Sequence, residues 1–155
     1  MNIETIKELL LRYEIVKIGE LIGCNQNEIT EIEYLYNFKL PIFYKQFLSS
    51  MGKKAGLFYK GSEFFYPDLL ELRSYANELL EEDGNCFVLP IDAFVFFFHQ
   101  GYQFMYFIVD SDNQHLIYNY IQGDKEPTIA YLSLEDFFIK SIEEHYQILE
   151  SIKGK

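Results

Sequence analysis

Three histidines, two cysteines and a run of carboxylates are the residues in this sequence equipped to catalyse or to hold a metal. His99 stands two residues before Gly101, with Asp92 and Asp110 near it in the chain, the raw material of a general base oriented by a carboxylate. No nucleophile or oxyanion loop accompanies it, so the spacing favours a turn histidine tied to backbone. His115 and His145 show neither H-x-x-x-H nor H-E-x-x-H spacing, and no metal site is expected. Cys24 and Cys86 belong to no C-x-x-C or Cys/His cluster and read as free, buried thiols. Glu81, Glu82 and Asp83 lack the alternating ligand spacing of a calcium loop and read as the solvated end of a helix. The sequence contains no G-x-S-x-G, G-x-x-x-x-G-K-[ST] or G-x-G-x-x-G, so serine-hydrolase and nucleotide-cradling geometries lack their local basis. These residues predict a protein that is not an enzyme and uses no cofactor.

Charge narrows the partner. Thirteen Lys and Arg face 24 Asp and Glu, a formal charge of −11. Such a chain repels phosphate backbones and anionic lipid, which argues against direct nucleic-acid recognition and membrane docking. A basic protein is the partner that gains. Glu78, Glu81, Glu82, Asp83, Asp110, Asp112 and Asp124 are the acidic rims expected to meet it, around exposed tyrosines. The plainer account of the same charge is solubility for a chain with 15 Phe, 13 Tyr and no Trp. Residues 1–4 show no basic or apolar leader region, so a cytoplasmic location is expected. The longest apolar run, residues 93–98, is far shorter than the roughly 20 residues that span a bilayer.

The elements that position these residues follow from hydrophobic spacing. Ile3, Ile6, Leu9, Leu10 and Tyr13 recur at helical intervals, with Gly19 and Gly23 as breakers. Ile29, Ile32, Leu35 and Tyr36 mark a second helix ending near Asn37, and Pro41 opens a third whose stop is Gly52. Residues 57–59 and 64–66 read as a small hairpin divided by Gly61-Ser62. Asp68 and Glu71 predict a capping box for a helix with Leu72, Leu79 and Leu80 on its stripe. That helix ends in Glu81-Glu82-Asp83, where the negative end of the dipole disfavours carboxylates, at a cost in local stability or to the benefit of a cationic partner. Residues 94–98 and 102–109 predict two antiparallel strands about a glycine turn. Val95 and Phe97 lie opposite Phe94, Phe96 and Phe98, so both faces must be covered. Strands over 116–121 and 128–131 and a helix capped by Ser133 complete the chain. The whole of 1–155 reads as one α+β domain.

Leu40-Pro41, Tyr44, Phe47-Leu48 and Gly52 form an L-P-x-x-Y-x-x-F-L-x-x-x-G element that resembles that of the SUKH superfamily, the Smi/Knr-like domain. The strand and turn around His99-Gln100-Gly101-Tyr102 are similar to those of a bacterial branch, and the order of elements matches over nearly the whole chain. The resemblance implies an α+β fold with a central antiparallel or mixed sheet flanked by helices. It also implies a binding module, typically an immunity protein that neutralises a polymorphic toxin, often a nuclease, by direct contact. A regulatory or scaffold module of the same fold is the alternative. The motif residues are expected to be structural, since binding surfaces vary within the family.

Overall fold

The computed structural model describes residues 2–110 and 114–154. Helix α1 (Ile3–Arg12) is capped by Asn2, whose side chain accepts from the Thr5 N–H, and buries Ile3, Ile6 and Leu10. It ends well before Gly19, in a turn where Glu14 takes a left-handed φ of 59°. Helix α2 (Gln26–Tyr36) starts from a capping box between Asn25 and Glu28 and stops at Asn37, which is left-handed with φ 56°. Helix α3 (Ile42–Met51) has Pro41 one position outside it, as the N-cap. The N–H of Leu40 donates to the buried carboxylate of Glu33 at 2.7 Å, and Lys45 lies 3.8 Å from the same oxygen. The Leu40-Pro41 step is thereby fixed from α2. Gly52 ends α3 with an ordinary φ of −66°; a side chain there would sit 2.6 Å from the Leu48 carbonyl oxygen and 2.7 Å from Cys24 Sγ. Close packing, rather than left-handed backbone, demands glycine at this position.

The hairpin expected over 57–59 and 64–66 does not form. Short strands β1 (Leu21–Ile22) and β2 (Lys54–Ala55) pair instead, and a series of turns follows in which Tyr59 has φ 47°. Those turns send Phe58 and Phe64 into the core, where their rings meet at 5.8 Å and both contact Phe138. Burial of aromatic area overrode local strand preference, and only Glu63 pairs with a strand, opposite Phe98. The expected Asp68–Glu71 capping box is also absent. Asp68–Leu70 is a short 3-10 turn pinned by the Tyr36 hydroxyl, which reaches the carbonyls of Leu69 and Leu70 at 3.0 Å, and α4 (Leu72–Glu82) starts after it without a side-chain cap.

Strands β3 (Ala93–His99), β4 (Gln103–Ile108), β5 (Ile117–Ile121) and β6 (Thr128–Tyr131) form a four-stranded antiparallel sheet in sequence order. A register shift between Val95 and Phe97 changes the expected alternation. Phe96 and Phe97 now share Phe64 as a ring neighbour, whereas Phe98 meets Tyr75 of α4. One face is covered by α4. The other is covered by α3 and by α5 (Leu134–Lys153), through Tyr44 and Phe137, while Phe138 packs α5 on Phe47 of α3. Phe96 and Phe107 are fully buried, as are Tyr44, Phe47 and Leu48 of α3. Ser133 caps α5 by accepting from the Asp136 N–H. No helix among the described residues is long and apolar enough to cross a membrane.

Candidate functional site

Helix α4 presents Glu78, Glu81 and Glu82 to solvent, and Asp110 is exposed beyond the end of β4. Among the described residues none of these four carboxylates has an ion-pair partner. Asp83 and Asp124 lie beside the end of α4 but are engaged within the fold, whereas Asp110 stands at the opposite end of the sheet. Asp83 accepts from the Tyr120 hydroxyl and from the Gly123 N–H at 2.9 Å, and Asp124 accepts from the Ile121 N–H at 2.9 Å. The bond from Tyr120, then that from Gly123, hold the Asp83 carboxyl below its usual range. Asn85 completes the network by donating to the carbonyls of Asp124 and Lys125 at 3.0 and 3.1 Å. The end of α4 is therefore split between two structural carboxylates and a free acidic face. Asp112 lies outside the described residues.

His99 ends β3 at the turn, where Gln100 and Gly101 both have positive φ, 47° and 79°, and the Tyr102 N–H closes on the His99 carbonyl at 3.1 Å. The imidazole finds a side chain as its partner: Nδ1 lies 2.7 Å from Ser62 Oγ. Its ring neighbours are Phe97 and Tyr102, and among the described residues no carboxylate is hydrogen-bonded to it as the orienting partner of a base. Asp92 and Asp110 sit at the opposite, open end of the β3–β4 pair, where the Val109 N–H donates to the Asp92 carbonyl. Six residues of strand lie between Asp92 and His99, a separation of roughly 20 Å. Among the described residues no three His, Cys, Asp or Glu side chains converge to hold a metal. Both cysteines are free; Cys24 is buried, but Cys86 is exposed in the loop after α4, where no apolar stripe draws it inward.

Beside the His99 turn opens a cleft of about 460 Å³ that sequence reasoning missed. Its residues come from four places in the chain: the 57–62 turns, β3 and β4, Tyr131 of β6, and Glu144 and His145 of α5. Tyr59 donates to Ser141 Oγ at 2.7 Å. Burial, and to a lesser degree the nearby Glu144 carboxylate, push the Tyr131 hydroxyl above its ordinary pKa. Burial against the rings of Phe58 and Tyr59, at 5.1 and 4.8 Å, lowers that of His145. The one signal available beforehand was the spacing of Ser141, Glu144 and His145, which places them on one helical face.

The model of the SMI1 / KNR4 family (SUKH-1) matches residues 23–140, a span that holds α2, α3, the whole sheet and the first turns of α5. Comparison with curated proteins finds no match.

Proposed function

The chain belongs to the SMI1 / KNR4 family (SUKH-1), and from that membership we propose that it is a non-catalytic binding protein of the immunity type, which neutralises a basic toxin domain by direct contact. The observation that carries this reading is the unpaired acidic face of Glu78, Glu81 and Glu82 at the C-terminal half of α4. A helix places its negative dipole end there, so these carboxylates weaken their own helix and favour an incoming cation. Two further acidic residues of the region, Asp83 and Asp124, support the scaffold beneath that face instead of adding to its free charge. Complementary charge of this kind accelerates association, and buried aromatic or arginine anchors supply affinity.

The test is first whether a large secreted protein with a toxic C-terminal domain is encoded immediately upstream, and then co-expression of that domain with this chain. Survival of cells only when this chain is present, together with a stoichiometric complex whose on-rate falls with salt, is the expected result. Growth unaffected by the chain and no complex would favour the regulatory-module alternative. An on-rate indifferent to salt and to Glu81→Lys with Glu82→Lys would rule out steering by α4.

A further inference from the structure

We propose that the cleft between the His99 turn and α5 is a receptor for an arginine side chain of the partner, seated on the tyrosine rings and paired with Glu144. This rests on the binding-protein reading for the source of the arginine, and on the cleft itself for the chemistry.

The shape suits one planar group: about 460 Å³ lies within the range of sites that enclose a small ligand or a single long side chain. Tyr102 and Tyr131 line it, with Tyr59 set deeper among Phe97, Phe137 and His145, and ring faces attract a guanidinium more than they attract a neutral group. Glu144 is exposed, has no ion-pair partner among the described residues, and lies close enough to Tyr59 and Tyr131 to act on both hydroxyls. Its carboxylate is the fork that a guanidinium pairs with. His145 does not oppose a cation. Burial favours the neutral form of His145, and His99 Nδ1 is turned to Ser62 Oγ at 2.7 Å. Lys60 is the one lining residue of the wrong sign; it is exposed, on a flexible four-carbon stem that can swing into water. A lysine ammonium would lack the flat surface that stacks on tyrosine, which is why arginine is the better occupant.

The test titrates the full chain, labelled for NMR, with acetyl-Gly-Arg-Gly-amide and with the same peptide carrying citrulline, which keeps the shape and removes the charge. Saturable shifts confined to Ser62, Tyr102, Glu144 and His145 with the arginine peptide, and none with citrulline, are expected. Glu144→Gln weakens binding roughly five- to tenfold. Lys60→Gln strengthens it, an effect of opposite sign that no loss of folding can imitate. Equal shifts with citrulline, or binding unaltered by both Glu144→Gln and Lys60→Gln, would overturn the proposal. Rescue of cells without peptide binding overturns the cleft alone, and peptide binding without rescue overturns only the toxin.

Discussion

The hydroxyl of Tyr120, in the middle of the sheet, donates a hydrogen bond to the carboxylate of Asp83 at the end of α4. The sequence places this carboxylate where the helix dipole disfavours it, and the fold answers with a donor from β5 and a backbone N–H from Gly123 rather than with a cation. Two elements far apart in the chain are joined through one side-chain oxygen.

Tyr120→Phe keeps the ring and removes the donor, so it is expected to cost about 1–2 kcal/mol. The pH dependence has a definite sign. Because the Asp83 carboxyl is depressed in the folded chain, its stabilisation is present above the ordinary carboxylate pKa and is lost as pH falls through the folded value. Urea unfolding from pH 6 to pH 3 is expected to show a shallower acid loss in Tyr120→Phe than in the parent; equal slopes would dismiss the coupling.

Phe96 and Phe107 touch at 5.5 Å and are both fully buried. Each Phe→Ala change leaves a cavity among rings that cannot collapse onto one another, and is expected to cost about 3–5 kcal/mol. Their ring neighbours overlap through Tyr44, so the double variant is expected to lose less than the sum of the two. Denaturant midpoints of the two single variants and the double variant measure both statements.

At the turn, Gly101→Ala is expected to destabilise by about 1–2 kcal/mol through positive φ alone, since open space surrounds the added methyl. His99→Gln can retain a hydrogen bond to Ser62 and is expected to lose less. A larger loss for His99→Gln in thermal melts would mean that the imidazole carries the turn.

His145 is driven neutral by burial, so the unfolded chain binds the proton more tightly than the folded one. Its contribution is complete above the unfolded pKa of about 6.5 and declines as pH falls below it. His145→Leu is expected to flatten stability between pH 7 and pH 5, read by melting temperature at each pH.

Glu81→Lys with Glu82→Lys replaces two charges that α4 itself disfavours by two that it favours. The melting temperature is expected to hold or rise while association with the toxin domain slows. A stabilised variant that associates more slowly is the signature of a face kept acidic for binding. A fall in melting temperature would show that these carboxylates support the fold.

What the sequence by itself determined is the set of elements whose cause is local. The helical stripe of Ile3, Ile6 and Leu10, the stop at Asn37, the Ser133 cap and the two strands about Gln100-Gly101 all depend on residues within a few positions of one another. The L-P element was legible too, and with it the family. Only the tertiary structure decided the rest. Residues 57–66 have strand-like composition, but Phe58 and Phe64 gain more by reaching Phe138 than by pairing with each other's strands. Asp68 lost its cap because Tyr36, more than thirty residues away, fixes the carbonyls beside it. In the acidic face, the sequence shows equal carboxylates, and only the placement of Tyr120 and Gly123 divides Asp83 from Glu81 and Glu82. The cleft was invisible for the same reason: Tyr59, Tyr102, Tyr131 and Glu144 become neighbours only when the sheet folds against α5, a long-range packing that no local pattern records.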